Sequence, residues 1–306
     1  GSGKTTLVLE TLIPALSHAA AGEALPEHVT ALAADGIERA NLIDATPIGV
    51  NVRSTVATYC GVLDDLRRAY ARTEGAKAAG LKAGDFSYNT GSLRCPTCDG
   101  TGQISLDVQF LPDVDIACPD CRGSRFSAAA EGIRRPEKGA KGEKGALRGQ
   151  ALSLPALLAL SVDEALAHVV DIKKAHEKLQ TLHDLGLGYL TLGEATPALS
   201  GGEAQRLKLA SEMGRGQEDA VFVFDEPTIG LHPRDVETLL GVFERLVERG
   251  ATVVVVEHDL DFIANADYVI DMGPHGGKDG GRIVACGTPA EIATNPESIT
   301  GRYLVL

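Results

Sequence analysis

The residues best suited to chemistry fall into two groups, one at the start of the chain and one near residue 100. Residues 1–6 read Gly-Ser-Gly-Lys-Thr-Thr, which matches the second half of the phosphate-binding loop G-x-x-x-x-G-K-[ST]. Two C-x-x-C pairs follow, Cys95/Cys98 and Cys118/Cys121, with 19 residues between Cys98 and Cys118. The first group predicts phosphate binding, and the second predicts a metal site.

The cysteine spacing lies within the range used by four-cysteine zinc sites. Gly100, Gly102 and Gly123 follow the pairs closely and allow tight turns, so that two sulfurs of each pair point the same way. Four thiolates fill a tetrahedron, and the Zn²⁺ would therefore be structural rather than catalytic. A set of free thiols is the alternative, and the remaining Cys60 and Cys286 are predicted not to bind metal.

The opening motif predicts how a nucleotide would be held. Backbone amides of such a loop surround phosphates, aided by the positive end of the following helix. Lys4 is expected to reach the β- and γ-phosphates of ATP, and the Thr5 hydroxyl to bind Mg²⁺. The candidate cofactor-binding residues here are Gly1, Ser2, Gly3, Lys4, Thr5 and Thr6. Because the motif lacks its upstream residues, we expect the chain to be a fragment truncated within this loop.

Two continuous apolar runs, at 221–224 and 252–257, each end in polar residues that suit phosphate chemistry. Asp225 is placed to hold Mg²⁺, and Glu226 to polarise an attacking water. His258 lies just past the second run, where it could contact the γ-phosphate. Glu226 and His258 are the predicted catalytic residues, although an acidic strand end and a structural histidine are the simpler alternatives.

The sequence Leu-Ser-Gly-Gly-Glu-Ala-Gln-Arg at 199–206 predicts the start of a helix. Ser200 and Glu203 have the spacing of a capping box. The exposed amides around Ser200, Gly201 and Gly202 would let backbone approach a γ-phosphate, so these three residues join the candidate nucleotide site. A well-capped helix with no further role is the alternative.

The overall composition bounds the class of protein. Of 306 residues, 44% are hydrophobic and 23% charged, as in soluble globular proteins of one large domain or two. No apolar run approaches the roughly 18 residues of a membrane span, and no signal peptide is evident, so we expect a cytoplasmic protein without membrane contact. The net charge of −13 argues against a general nucleic-acid coat. The stretch Arg134–Gly149 is the densest candidate for a local basic stripe, but its Gly, Lys and Glu content favours a solvated flexible loop.

The elements that must position these residues are of the α/β class. A helix is predicted from Thr5, short apolar runs lie at 29–32 and 41–43, and helical periodicity covers 61–80. Strand and helix alternate after Leu199, which predicts a mainly parallel sheet covered on both faces. The predicted ranges are 1–80 and 199–306 for the two parts of an ATP-binding core, 81–130 for an inserted zinc module, and 131–198 for a flexible stretch and a helical signature lobe.

Taken together, the phosphate loop, LSGGEAQR, DEPTIGLH and EHD resemble an ATP-binding cassette, a class of P-loop ATPase. In cassettes, each ATP lies between the phosphate loop of one cassette and the LSGG helix of another. The resemblance therefore implies that a single cassette carries two half-sites.

Further segments resemble the second cassette of the UvrA family, the damage-recognition ATPases of bacterial nucleotide excision repair. They are IDATPIG, RSTVATYCGVLDDLR, FSYNTGSLRCPTC, FLPDVDIACPDCRGSRF, LQTLHDLGLGYLTLG and DMGPHGGKDGGRIVACGTP. The resemblance implies a homodimer, an N-terminal cassette half outside this chain, other excision-repair subunits, and damaged double-stranded DNA near the zinc module. Arg94, Arg122 and Arg125 would be candidate phosphate contacts, with exposed structural arginines as the alternative. The cysteine module also resembles that of DnaJ chaperones, which have no phosphate loop.

Some segments depart from the family pattern. Ala45 stands where the family has a glutamine that helps connect Mg²⁺ and nucleotide to the rest of the cassette, and GVNVRSTVATY replaces GRTPRSNPATY. The second candidate is therefore a UvrA-like paralogue that gives resistance to DNA-binding drugs. A cassette ATPase for transport or translation is the third, and the zinc module argues against it.

Overall fold

The computed structural model describes residues 2–106, 114–136, 151–213, 218–229, 233–274, 276–277 and 280–304. Contacts divide the chain into two compact units, one of Gly1–Thr46 with Glu212–Leu306 and one of Pro47–Ser211. This division differs from the four ranges expected from the sequence, because residues 47–80 and 199–211 fall in the same unit as the cysteines. Those four ranges stay a prediction.

Regular elements cover most of the described chain. The strands are β1 (Arg39–Ile43), β2 (Gln103–Leu106), β3 (Val114–Ala117), β4 (Arg134–Arg135), β5 (Leu152–Ser153), β6 (Ala220–Asp225), β7 (Thr252–Val256), β8 (Val269–Gly273) and β9 (Arg282–Gly287). The helices are α1 (Ile13–Ala21), α2 (Val56–Tyr59), α3 (Val62–Tyr70), α4 (Glu74–Ala78), α5 (Ala128–Glu131), α6 (Leu154–Leu158), α7 (Val162–Leu166), α8 (Lys173–Asp184), α9 (Gly201–Glu212), α10 (Pro233–Glu248), α11 (Leu260–Ala264) and α12 (Pro289–Thr294). A π-helix at Thr6–Leu12 runs into α1, and short 3-10 helices lie at Thr196–Ala198 and Thr300–Tyr303.

The first unit is built on a parallel sheet in the order β1-β6-β7. The central strand β6 is buried from Ala220 to Phe224, as its continuous apolar sequence predicts. Ile43 lies opposite Phe224, and Asp225 lies opposite Val256. Since all three strands run the same way, the residues that follow them meet at one edge of the sheet. The α/β fold with a mainly parallel sheet is thus confirmed.

Helices cover the sheet and complete its core. Val8 and Leu16, from the helix that begins at Thr6, pack with Val221, Val223 and Val256. Phe243 of α10 lies 4.4 Å from Phe224 and 5.5 Å from Phe262, measured between ring centroids. The predicted helix between β6 and β7 is confirmed as α10.

A separate antiparallel hairpin, β8 with β9, belongs to the same unit. The carboxylate of Asp271 accepts hydrogen bonds from the hydroxyls of Ser298 at 2.6 Å and Thr300 at 3.0 Å. These bonds hold the segment after α12 against β8.

Most of the regular elements described in the second unit are helices. The periodicity predicted at 61–80 is confirmed as α3 and α4. The carboxylate of Asp65 on α3 is buried, and Lys178 Nζ on α8 donates to it at 2.7 Å. Tyr70 packs against Phe86, with 6.1 Å between ring centroids. The ion pair thus joins α3 to α8, and the ring contact joins α3 to the turn at Phe86.

The two short apolar runs identified before residue 60 have different structures. The apolar run at 41–43 lies in β1, whereas 29–32 is outside any strand and contributes Leu32 to the core beside the sheet. Within the basic stretch at 134–149 only 134–136 are described, and the guanidinium of Arg135 is buried and paired with Asp171. Among the described helices, none combines the length and the apolar character needed to cross a bilayer.

Candidate nucleotide site and metal centre

The phosphate loop runs directly into the helix that begins at Thr6. Lys4 Nζ donates to the Ser2 hydroxyl at 3.5 Å, and the Leu7 amide donates to the Gly3 carbonyl at 2.9 Å. Gly3 has φ +92°, and a Cβ there would lie 3.3 Å from Gly281 Cα, so both backbone conformation and space favour glycine. Thr6 is exposed in the first turn, and Gly1 lies outside the described residues.

The end of β6 contacts this loop at Asp225. The Thr5 hydroxyl donates to Asp225 Oδ1 at 3.3 Å, although the two residues are 220 positions apart. Asp225 is the last residue of β6, and Thr5 immediately precedes the helix. The structure therefore brings together the two residues that the sequence assigned separately to Mg²⁺.

The charge around Asp225 fits a cation. Burial raises the pKa of this carboxyl, the Thr5 hydrogen bond lowers it, and the nearby carboxylates of Glu226 and Asp44 raise it. Magnesium ions prefer oxygen ligands and commonly use one or two carboxylates with a hydroxyl and phosphates. A divalent cation between Thr5 and Asp225 would offset the repulsion among the carboxylates, so these residues fit Mg²⁺.

Glu226 and His258 face each other at the same sheet edge. His258 Nδ1 lies 3.9 Å from Glu226 Oε1, and their side chains are 67% and 40% exposed respectively. Glu226 has φ +48°, a left-handed conformation that is uncommon for residues other than glycine. Its amide donates to the Val256 carbonyl at 2.9 Å. Both predicted catalytic side chains are thus open to solvent beside Asp225.

The helix α9 begins with the predicted capping box. The Glu203 carboxylate accepts from the Ser200 amide at 2.7 Å, and the Glu203 amide donates to the Ser200 hydroxyl at 3.4 Å. Tyr189 donates its hydroxyl proton to Glu203 Oε1 at 2.6 Å. Ser200, Gly201 and Gly202 lie in the second unit, whereas Lys4 and Thr5 lie in the first.

The four cysteines form one cluster. Their sulfurs all lie within 4.8 Å of one another, with 3.9 Å between Cys95 and Cys118 and 3.6 Å between Cys98 and Cys121. Tetrahedral zinc with Zn–S bonds of about 2.3 Å places sulfurs about 3.8 Å apart, whereas a disulfide needs about 2.05 Å. The cluster therefore fits Zn²⁺ and does not fit disulfides.

Backbone turns aim the sulfurs at a common centre. The residue after each pair, Asp99 and Arg122, has positive φ (52° and 51°), and a glycine follows each. Gly100 cannot be replaced, because a Cβ there would lie 1.7 Å from the Tyr88 carbonyl oxygen. Strands β2 and β3 pair Gln103 with Ala117, and this hairpin joins the two turns.

Hydrogen-bond donors surround the thiol of Cys98. Burial opposes ionisation of Cys98, yet hydrogen bonds from the Gly102 amide, from neighbouring thiols and from the Gly100 amide lower its pKa to about 7. Burial raises the pKa of Cys121 to about 12.

The arginines near the cysteines have different roles. Arg125 is 7% exposed, donates to the Val52 and Thr101 carbonyls at 2.8 Å each, and stacks on the Tyr88 ring. It is therefore structural, and its expected phosphate contact is wrong, because its donors face protein rather than solvent. Arg94 pairs with Asp99 at 2.8 Å, while Arg122 is exposed.

Glu257 is a further residue of this site that the sequence patterns did not predict. Its side chain is 3% exposed and accepts from the Thr228 amide at 3.0 Å and from the His258 amide at 2.8 Å. The only sequence signal was an acidic residue at the end of an apolar strand, beside a candidate histidine.

The chain is similar over nearly its whole length to proteins named UvrABC system protein A. It is 46% identical to that of Bacillus subtilis (strain 168), over an alignment that covers 99% of the chain and 31% of that protein. It is 44% identical to those of Lactococcus lactis subsp. lactis and Synechocystis sp., again over 99% of the chain, and covers 31% and 30% of them. The chain thus spans less than a third of the length of these curated relatives.

A solved structure gives the same result for the fold. The crystal structure of UvrA2 from Deinococcus radiodurans matches with a TM-score of 0.85 and 42% identity, covering 99% of this chain and 35% of that one. No family model matches the chain.

Proposed function

Because this chain belongs to the UvrA family, we propose that it is an ATP-hydrolysing and DNA-binding part of a nucleotide-excision-repair protein, equivalent to the second cassette. The observation that carries the proposal is the contact between Thr5 and Asp225, with Glu226 and His258 beside it at one sheet edge. These are the groups that phosphoryl transfer to water requires.

Each side chain has a distinct task. Lys4 and the loop amides hold phosphate oxygens, and Thr5 with Asp225 holds Mg²⁺. Bound ATP and Mg²⁺ supply the phosphoryl group and neutralise the charge that develops on it. Glu226 orients and polarises the attacking water, and His258 donates a hydrogen bond toward the γ-phosphate. The solvent exposure of Glu226 and His258 leaves space for water and nucleotide.

A complete site needs a second cassette. Lys4 and Thr5 belong to one unit, and Ser200–Gly202 start a helix in the other. In the cassette arrangement these form two half-sites, each completed by a partner cassette. We infer that the other cassette comes from an N-terminal half of the whole protein and that the protein is a homodimer.

The cysteine cluster serves DNA binding indirectly. The four sulfurs, all within 4.8 Å of one another, would hold a structural Zn²⁺ that would stiffen the segments beside Arg94 and Arg122. We infer that this module forms part of a surface for damaged double-stranded DNA. Other excision-repair subunits would act on the resulting complex.

Steady-state ATP hydrolysis with and without DNA tests the proposal, using the full-length protein that carries this chain. Lys4→Ala or Glu226→Gln is expected to lower turnover on the order of 10²-fold or more, because each removes stabilisation of transition-state charge. The isolated chain is expected to hydrolyse ATP negligibly, since its half-sites lack a partner.

Exposed residues of the same types supply matched controls. Lys77 and Glu74 form a surface ion pair on α4, and Lys77→Ala and Glu74→Gln should leave turnover unchanged. Robust hydrolysis by the isolated chain that persists after Glu226→Gln would refute these roles.

A second candidate, a UvrA-like paralogue that protects DNA from DNA-binding drugs, is favoured by Ala45. This exposed methyl group directly follows Asp44, whose carboxylate accepts from the Thr46 hydroxyl at 2.6 Å. Unlike glutamine, Ala45 has no side-chain amide to link Mg²⁺ with the rest of the cassette. Complementation of a repair-deficient strain supports the first function, and rescue of drug tolerance without repair supports the second. Ala45→Gln should keep or raise ATP turnover.

A further inference from the structure

A buried carboxylate lies beside the predicted catalytic histidine. Glu257 follows β7, and its side chain is 3% exposed. Its Oε1 accepts from the amide of Thr228 at 3.0 Å and from the hydroxyl of Thr228 at 2.5 Å. Its Oε2 accepts from the amides of His258 at 2.8 Å and Asp259 at 3.2 Å. One side chain thus receives four hydrogen bonds from two loops.

Each loop carries one catalytic side chain. Thr228 is two residues beyond Glu226, and the His258 amide belongs to the predicted catalytic histidine itself. Glu257 Oε2 also lies 3.8 Å from His258 Nδ1, nearly the 3.9 Å that separates this nitrogen from Glu226 Oε1. Glu257 therefore joins the loop after β6 to the loop after β7.

The backbone of Glu226 needs such support. Its φ of +48° is unfavourable for a residue with a Cβ and persists only where neighbouring bonds determine it. The Glu226 amide is held by the Val256 carbonyl at 2.9 Å, and the Ile229 amide donates back to Glu226 at 3.2 Å. The Glu257–Thr228 bonds fix Thr228, which lies between Glu226 and Ile229 in the same turn.

We propose that Glu257 is a positioning residue, which keeps Glu226 and His258 in fixed relation by bonding to Thr228 and to the His258 backbone. The inference rests on the proposed ATPase function. Glu257 itself is buried and touches no substrate. Its effect passes through Glu226 and His258, and losing it should slow the chemical step without weakening nucleotide binding.

Two variants remove parts of this arrangement. Glu257→Gln keeps the shape but replaces one acceptor oxygen by a donor, and Thr228→Val replaces the hydroxyl by a methyl group. In the full-length protein, each is expected to lower kcat for ATP on the order of 10-fold while the KM for ATP stays within about 2-fold, the pattern of an interaction used only in the transition state. Thr228→Ser restores the hydroxyl and should recover most of the turnover that Thr228→Val loses.

A double-mutant cycle separates positioning from general stability. If Glu257 acts through Glu226, Glu257→Gln should lower turnover much less in a Glu226→Gln background than in the wild-type protein. An equal loss in both backgrounds, or a raised KM with normal kcat, would overturn the inference. If Glu257→Gln does not fold, comparing kcat and KM of Thr228→Val with those of Thr228→Ser tests the same inference.

Failure of this inference differs from failure of the proposed function. Wild-type kcat in both Glu257→Gln and Thr228→Val, with turnover still lost in Glu226→Gln, contradicts the positioning role alone. Turnover that does not depend on Glu226 contradicts the ATPase roles, and the positioning role with them.

Discussion

The hydroxyl of Thr5 lies 3.3 Å from the carboxylate of Asp225, so the start of the first helix lies beside the end of the central strand. Burial and neighbouring carboxylates raise the pKa of Asp225, and a cation between the two oxygens would relieve both effects. The contact thus predicts the role of each residue toward Mg²⁺.

Thr5→Val should weaken Mg²⁺-dependent ATP binding on the order of 10-fold, because it removes one oxygen ligand while keeping the side-chain shape. Titration of the full-length protein with a fluorescent ATP analogue, in Mg²⁺ and in EDTA, measures this. Thr5→Ser should bind as the wild type does, as should Thr294→Val on α12. If Mg²⁺ strengthened ATP binding equally in Thr5→Val and in the wild type, Thr5 would not be a Mg²⁺ ligand.

The cysteine cluster should hold one zinc per chain. Cys95→Ser is expected to lose nearly all of it, since three thiolates hold zinc much less firmly than four. Elemental analysis of the purified protein measures the stoichiometry, and circular dichroism monitors folding. Exposed Cys286 provides the matched control, because Cys286→Ser should keep its zinc. Unchanged zinc in Cys95→Ser would contradict the assignment.

Cys60 should behave differently from Cys286 toward alkylating reagents. Burial raises the pKa of Cys60 to about 12, against the lowering effect of Lys178, and a thiol must ionise to react. Mass spectrometry after iodoacetamide treatment of the native chain should find Cys286 modified and Cys60 intact. Equal modification of both would show that Cys60 is accessible.

DNA binding by the isolated chain should be weak and only mildly dependent on salt. At a net charge of −13, a few local phosphate contacts must act against the repulsion of an acidic body. Arg122→Ala should weaken binding, whereas Arg302→Ala, in the other unit, should not. A plot of log K against log[salt] as steep as that of a protein with ~8 phosphate contacts would contradict this expectation.

The ionised form of Glu257 should stabilise the fold above pH 5. Burial alone would raise its pKa, but hydrogen bonds from Thr228, His258 and Asp259 outweigh burial and lower it. A carboxyl whose pKa is lower in the folded than in the unfolded chain stabilises above its unfolded pKa of about 4.3, and the effect is lost as pH falls through the folded pKa.

Urea unfolding of wild type and Glu257→Gln across this pH range measures the effect. The difference in unfolding free energy should be largest near pH 7 and should narrow in acid. Glu297→Gln, at an exposed site, should differ little from wild type at any pH. A difference for Glu257→Gln that does not change with pH would show that ionisation of Glu257 contributes nothing.

Local patterns in the sequence were enough to predict several features of the site. The cysteine spacing predicted a four-sulfur cluster, and Ser200 with Glu203 predicted a capping box, both of which the structure contains. The apolar run before Asp225 predicted a buried strand. These features could be predicted because each depends on residues a few positions apart, or on two such groups whose chemistry favours binding one metal ion together.

Long-range packing decided the rest. Arg122 and Arg125 are both arginines beside cysteines, yet one is exposed, whereas the other is buried against Tyr88 and the Val52 carbonyl. Glu257 is one acidic residue among many in the sequence, and its four hydrogen bonds come from residues placed by two neighbouring strands. The sequence by itself determined which residue types could bind phosphate and metal. Only the tertiary structure decided which of the charged groups are desolvated and which partners they meet, because burial and hydrogen bonding depend on segments far apart in the chain.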